Sequence, residues 1–570
     1  MGIEFDSATL ALASVAVLLS AVTYKLLPAP PLVHPFLLGR QAIPAPTRLH
    51  NQSPIYTNAA NGGGRPPYRP DRSIRTLHDI LKNSQSVLEG GLGEGALAHA
   101  AGGHGHKVVQ LVLYLRAALA NRFVNAGKEG TVLVALDDPT DALLVTLALA
   151  LSPYKPIVLA PGSDLGTFPE NCVASVSSPG RLTGAGSQSA ITLVLDPSSS
   201  SSEEEEQDEA RDLLESGKVL HEEGKDGAAA AGEVSDVVLT IISDGQSLQL
   251  TNQNLTASLI SWASLFPVSP QPTKPTLKDS ILSFHHPSTP YGFGLALFAL
   301  SHSAGLAFPV LPSGHDTPPE ELSLLLNSKS RPPATLIFAP ANVLAKPLYQ
   351  LILSEMLGDS SFIVRAARDG KLRLLREGIV TKQSFWDALL YKGLRKDINL
   401  TRLRALFLSA PPALDQSRLE TLRASLGCPV VPTLSHPSLL APLCAAHMFD
   451  LQRLPPPGAK RLRGNEKSHV GPPTLGVEVK LVGGKEEELT AGRIKGEILV
   501  RTPVLPLPTT LDPSLLTSDT SLPPLPPYSG QEDTTAAGTE GPKWYKTGVV
   551  AEISTEGTIW LDESESRALV

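Results

Sequence analysis

Strand, helix and strand follow one another closely in the N-terminal third of this 570-residue chain. Residues 129–139 (EGTVLVALDDP) read as a short buried strand. Residues 140–151 (TDALLVTLALAL) carry a helical apolar pattern, and 155–161 (KPIVLAP) read as a second strand. That alternation predicts an α/β fold with helices laid on a sheet. The same rhythm returns between about 234 and 500, where 237–242 (VVLTII), 334–340 (ATLIFAP) and 403–409 (LRALFLS) read as strands. Residues 476–482 and 496–501 give a β-rich ending, and the alternation around the STEG turn near the C-terminus predicts a hairpin.

Composition narrows the function classes. With 42% hydrophobic residues the chain has material for a real core, which excludes wholesale disorder. Lys+Arg 48 against Asp+Glu 56 leaves a net charge of −8, which argues against a nucleic-acid binder. The three cysteines, Cys172, Cys428 and Cys444, form no CxxC pair, so a disulfide scaffold and a thiolate metal site are both excluded. The 51 prolines, nearly twice average usage, predict long irregular segments.

The chain divides as follows. Residues 1–27 hold an uncharged run (7–24) just long enough for a single-pass membrane helix; Glu4 and Asp6 precede it and Lys25 follows. This predicts an anchor in the endoplasmic reticulum or another endomembrane, with the body in the cytosol. The acidic flank argues against a cleaved signal peptide. Residues 28–74 read as linker and surface coil, and 75–502 as an α/β core. Within that core, 197–233 (PSSSSSEEEEQDEARD and onward) is expected to be a disordered acidic insertion. Residues 503–540 are a Pro-rich insertion, and 541–570 a terminal β-hairpin. Leu525, Pro526, Pro527 and Tyr528 form a candidate polyproline ligand for a WW or SH3 groove.

Local signatures of chemistry are weak. Residues 91–96 (GLGEGA) approximate a dinucleotide fingerprint but follow a helix-like segment, so they read as a loop. His285 and His286 close a strand-like segment and read as satisfied, half-buried histidines. No GxSxG, HExxH or GxxxxGK[ST] occurs.

The stretch 468–482 (SHVGPPTLGVEVKLV) followed by 492–503 (GRIKGEILVRTP) resembles the adenylate-forming, or AMP-binding, superfamily. Val470, Gly471, Pro473, Gly476, Glu478 and Lys480 match one block of that family, and Gly496, Glu497, Ile498, Val500, Arg501 and Pro503 match the next. Residues 250–255 (LTNQNL) resemble its L-T-H-x-N-L, 403–410 (LRALFLSA) its L-R-x-x-x-S-G-G, and 544–548 (WYKTG) its W-x-x-T-G-D. Residues 279–284 (DSILSF), with Tyr291 and Gly292 after them, resemble its D-x-x-L-S strand. The stretch PLVHPFLLGRQ suggests the long-chain acyl-CoA synthetase branch. The resemblance implies the large N-terminal part of such an enzyme: two α/β subdomains plus a small β-rich one. It also implies ATP or AMP and magnesium as cofactors if the chain is active, and none otherwise, with a fatty acyl group as ligand. In the family a fatty carboxylate attacks the α-phosphate of ATP, and coenzyme A then takes the acyl group. Negative charge builds on the phosphates, so donors and a metal must be preorganised there.

Against that pattern the nucleotide positions are degenerate. The phosphate loop falls at Thr240, Ser243, Gly245 and Gln246, with one glycine, no lysine, and Asp244 among them. Ser435 keeps a hydroxyl, but the metal glutamate column holds His436, and imidazole is a poor magnesium ligand. After Thr547 and Gly548, the ribose aspartate column holds Val549. The family's C-terminal lid, with its lysine, is expected to be lacking. No residue is therefore assigned a catalytic or metal-binding role. Three functions follow: a membrane-anchored acyl-CoA-synthetase-like protein with impaired or absent adenylation; an active long-chain fatty acid–CoA ligase with divergent motifs; or a membrane-tethered adaptor using the Pro-rich segment.

Overall fold

The computed structural model describes residues 14–16, 33 and 35–564, apart from 65, 68, 90–95, 102–104, 125–128, 166–170, 183–190, 196–204, 225–231, 244, 268–273, 310–317, 328–331, 358–361, 453–465, 491–493, 508–510 and 519–542. Most of the apolar run 7–24, the GLGEGA segment up to Gly95 and the Leu525–Tyr528 motif lie outside the described residues. No helix among the described residues is long and apolar enough to cross a membrane. The predicted N-terminal transmembrane helix is thus without support among them.

Two short strands open the fold, β1 (Ala42–Pro44) and β2 (Tyr56–Asn58), paired antiparallel. They fall in the stretch 28–74, read above as coil. Each is only three residues long, too short for a period to register, yet Ala42 and Tyr56 are buried.

The first α/β layer contains β3 (Gly130–Ala135), β4 (Tyr154–Leu159), β5 (Cys172–Ser177), β6 (Ile191–Val194), β7 (Val237–Ser243) and β8 (Gln246–Thr251). Their spatial order is β6-β5-β3-β4-β7-β8, parallel except for the β7–β8 pair. Helices α1 (Val108–Phe123) and α2 (Pro139–Ala150) cover it. Sequence fixes the start of α2. The Asp138 carboxylate accepts from the backbone N–H groups of Thr140 and Asp141 at 2.8 and 2.9 Å, and Pro139 occupies the first turn.

Part of the acidic insertion 197–233 is ordered as α3 (Glu205–Glu222). Ala210, Leu213 and Leu214 are buried against the core, and the His221 ring meets Tyr114 of α1 edge-on at 5.7 Å. The expectation of disorder rested on charge density. An apolar stripe at i, i+3 and i+4 runs beneath that charge, enough to dock a helix.

The second layer holds β9 (Ser280–Ser283), β10 (Gly305–Ala307), β11 (Leu336–Pro340), β12 (Ala405–Ala410), β13 (Val430–Leu434) and β14 (Cys444–Ala445), ordered β10-β9-β11-β12-β13-β14. Only β13–β14 is antiparallel. Between the layers lie α4 (Asn252–Ala263) and α5 (Pro290–Ser301). From Pro290 to Leu300 every residue of α5 is buried, as expected of a helix apolar on all sides. Trp262 anchors the junction: its indole N–H donates to the Leu440 carbonyl at 2.9 Å, and its ring lies 4.9 Å from Tyr291 and 5.7 Å from Phe338.

The third sheet is antiparallel and is completed by β15 (Glu478–Val482), β16 (Ile494–Arg501), β17 (Leu516–Ser518), β18 (Lys543–Ile553) and β19 (Ile559–Leu561). Its order is β1-β2-β15-β16-β18-β17, with β19 returning on β18 as a hairpin. β17 comes from the Pro-rich insertion.

Within the second lobe, α6 (Phe362–Arg376) is tied to a π-helical turn, Asp387–Tyr391, by a buried charge cluster. Asp387 accepts from Lys371 Nζ at 2.7 Å and from Arg395 Nη1 at 2.8 Å, and Ser384 donates to the same carboxylate at 2.6 Å. Burial alone would raise the Asp387 pKa, but these donors outweigh it and hold the carboxyl below its usual range. Removing one member strands buried charge. Asp387→Ala is therefore expected to destabilise this lobe by about 3–5 kcal/mol. The exposed Asp369→Ala should change it by less than about 0.5 kcal/mol. Denaturation followed by hydrogen exchange across 362–426 measures both.

Candidate functional site

The candidate nucleotide positions lie where the three sheets meet. β7 and β8 run antiparallel and, after an irregularity between Val237 and Leu239, pair in step up to their ends: Thr240 faces Gln249, Ile242 faces Ser247, and Ser243 faces Gln246. Two residues separate them in sequence; Asp244 lies outside the described residues, and Gly245 takes a φ of +75°. Antiparallel strands paired right up to Ser243 and Gln246 leave only a tight hairpin between them. Thr240, Ser243 and Gln246 are therefore ladder residues of a sheet, and Gly245 is a turn residue. They do not form a loop that could wrap a polyphosphate. The sequence carried the signal, since Asp-Gly stands between two runs of strand character.

The second group of positions does come together. Ser435 follows β13; its N–H and its hydroxyl both donate to the Ala410 carbonyl, at 3.0 and 3.2 Å. His436 is buried, at 5% exposure. Its Nδ1 accepts from the Ser438 N–H at 3.2 Å, and its ring meets Tyr545 of β18 edge-on at 5.4 Å. It also hydrogen-bonds the Thr547 backbone. Burial pushes its pKa down to about 4, so the imidazole is neutral at physiological pH. It is a core residue that staples the second lobe to the third sheet.

Thr547, Gly548 and Val549 sit in a bulge of β18. There Ile498 alone opposes all three, because Glu497 faces Val550 and Leu499 faces Lys546. Thr547 Oγ1 donates to the Ile498 carbonyl at 2.9 Å and accepts from the Val549 N–H at 3.2 Å, while the Gly548 N–H donates to Glu497 Oε1 at 3.1 Å. Val549 is 1% exposed. It belongs to one apolar cluster with Leu248 of β8, Ala410 of β12, Leu434 of β13 and Val479 of β15. Hydrocarbon from all three sheets converges on the ribose aspartate column.

These residues do not fit a nucleotide with magnesium. The hairpin brings no lysine, the metal column holds a neutral buried imidazole, and the ribose column holds a buried valine. Among the described residues no group of three or more His, Cys, Asp or Glu side chains could hold a metal ion.

A different polar cluster, outside the candidate nucleotide positions, lines the C-terminal ends of the second sheet, where α/β folds place ligands. His285 follows β9 and its Nε2 lies 3.4 Å from Ser409 Oγ at the end of β12. Its ring lies 4.6 Å from Tyr291, whose hydroxyl is bonded to Thr433. Burial drives the His285 pKa down to about 3 and that of His286 to about 4. His286 Nε2 lies 3.1 Å from the Asp137 carbonyl. Both histidines are thus neutral and hydrogen-bonded, as read from sequence. They can orient a polar group but carry no charge to stabilise an anion. A separate hollow of about 720 Å³ opens at the other end of the first sheet, lined by His78, Arg116, Glu129, Lys155 and Asp236 among others. It contains none of the candidate positions.

No protein-family model and no curated protein matches the sequence. Solved structures do match the fold. A long-chain-fatty-acid-CoA ligase from Archaeoglobus fulgidus superposes with a TM-score of 0.53 at 13% identity, covering 87% of this chain and 85% of the other. An artificially fused Adenylation-PCP di-domain NRPS from Klebsiella oxytoca gives 0.51 at 13% identity, over 86% and 73%. A double mutant of o-succinylbenzoate CoA synthetase from Bacillus subtilis, bound with a product analogue, gives 0.50 at 12% identity, over 86% and 78%. The chain has the adenylate-forming fold. Within the two motif blocks, Glu478–Val482 and Ile494–Arg501 form β15 and β16 of the third sheet, the β-rich ending read from the sequence.

The buried neutral histidines give a pH dependence of known sign. A folded pKa of about 4 for His436 lies below the ordinary 6.5. Its stabilising contribution is therefore complete above pH 6.5 and is lost as pH falls toward 4. For His436 alone the loss approaches about 3 kcal/mol. Thermal melts from pH 7 to pH 4 should show a smaller drop in Tm for His436→Gln than for the parent. Equal drops would mean that the imidazole is not buried neutral.

Proposed function

We propose that this chain is an acyl-CoA-synthetase-like protein, tethered to a membrane through the run 7–24, in which adenylation is impaired or absent. The observation that carries the reading is the Ser243–Gln246 pairing. It leaves a two-residue turn where the adenylate-forming enzymes are expected to present a glycine-rich, lysine-bearing loop. Electrostatic stabilisation of the migrating phosphoryl charge is the largest single contribution to such a reaction, and each lost donor costs about 10²–10³ in rate. The loop, the metal carboxylate and the ribose carboxylate act on one transition state, so their losses do not simply add. Together they remove most of what the fold supplies to adenylation.

What persists is the scaffold: two α/β layers with an intact junction, and a neutral polar cluster of His285, Tyr291, Ser409 and Thr433 at the strand ends. Uncharged donors and acceptors backed by aromatic rings suit a ligand with an apolar body and a weakly polar head. A fatty acyl group is of that kind. The rival reading, an active long-chain fatty acid–CoA ligase with divergent motifs, requires cations that reach the triphosphate from elsewhere in the chain.

Full-length protein incubated with ATP, magnesium, coenzyme A and a panel of long-chain fatty acids separates these readings. The expected result is no acid-dependent release of pyrophosphate above the protein-free rate. Release that depends on both the acid and magnesium would establish the ligase instead.

A further inference from the structure

A basic surface studded with apolar side chains contains none of the candidate positions. Between residues 362 and 404 the chain carries eleven Lys and Arg against four Asp and Glu, whereas the whole chain has a net charge of −8. Of the charged residues in this segment, seven cations and three acids are exposed. On α6 the buried residues Ala367, Lys371 and Leu375 recur every fourth position. That spacing turns Phe362, Arg365, Asp369, Arg373 and Arg376 to the opposite face, toward solvent. Arg368 pairs with Asp369 at 3.5 Å and Arg373 with Glu377 at 3.3 Å. Both are exposed pairs that water screens, and the surface keeps a positive excess.

Large apolar side chains stand out of the same surface. Phe362 is 79% exposed, Phe385 72%, Leu389 54% and Ile363 52%. The two stretches that carry them are neighbours, because the Trp386 indole packs over Gly370 of α6, and Phe385 meets Trp386 edge-on at 5.3 Å. Single exposed apolar residues are ordinary. Four on two segments packed together, set among cations, are the composition of an interfacial surface.

We propose that this face docks on the surface of an anionic lipid bilayer. Its cations meet lipid head groups, while Phe362, Ile363, Phe385 and Leu389 enter the head-group boundary. A bilayer surface offers both partners at once: negative charge, and an apolar region a few ångströms below it. A nucleic-acid duplex offers the charge but no sink for protruding aliphatic side chains. The acidic remainder of the chain orients the approach, since it is repelled by the surface that attracts this segment. Docking through α6 is independent of the N-terminal run and of whether the chain adenylates anything.

Hydrogen exchange on the full-length protein tests it, with phosphatidylcholine vesicles, vesicles that also contain phosphatidylserine, and duplex DNA as three separate additions. The expected result is protection of 362–392 with the phosphatidylserine vesicles alone, reversed by high salt. The triple variant Arg365→Glu, Arg373→Glu, Arg376→Glu should lose that protection and bind at least about hundredfold more weakly through this face. A second variant, Phe362→Ser with Phe385→Ser and Leu389→Ser, should keep the salt dependence and lose most of the protection. All six positions are exposed, and thermal melts confirm that both variants fold. Equal protection on neutral vesicles, protection by duplex DNA, or no protection with either vesicle would overturn the proposal. The run 7–24 is present in every arm, so a tether there changes none of the comparisons at 362–392.

Discussion

When two antiparallel strands are joined by two residues, the chain must reverse within one turn, and the strands must pair right up to it. That constraint holds at Ser243 and Gln246, and much of the junction depends on it. It aligns β8 along the edge of the first sheet and places Leu248 in the cluster shared with the second and third sheets. A wider loop here would put backbone N–H groups into the crevice. The hairpin puts a leucine into the core instead.

The same exchange of charge for packing recurs around the crevice. Val549 is buried where the family pattern has an aspartate, and His436 is buried and neutral where it has a glutamate. His436 joins the lobe after β13 to β18 through Tyr545 and Thr547. A carboxylate at either position would need a cation or a metal to offset its desolvation. On the proposed reading these residues support one another: without a phosphate loop, hydrophobic contact across the three sheets holds them together.

Much of the scaffold was legible in the sequence because long buried strands advertise themselves. The runs at 237–242, 334–340, 403–409, 476–482 and 496–501 coincide with β7, β11, β12, β15 and β16, and the STEG turn with the β18–β19 hairpin. Shorter or masked signals were lost. β1 and β2 are too short to show a period, and the stripe Ala210, Leu213, Leu214 lay beneath a run of glutamates. At the site, the identities of His436 and Val549 were readable, but their burial was not, because it comes from strands distant in the sequence. The hairpin between Ser243 and Gln246 was readable in local terms and was obscured by placing it against a family's loop.

Titration of magnesium–ATP into the folded full-length protein by calorimetry bears most directly on the proposed loss of the nucleotide cradle. With the hairpin closed and both carboxylate columns filled by neutral side chains, binding should be weaker than about 1 mM. Saturable, magnesium-dependent binding in the micromolar range would contradict it and would require a triphosphate site built from other residues.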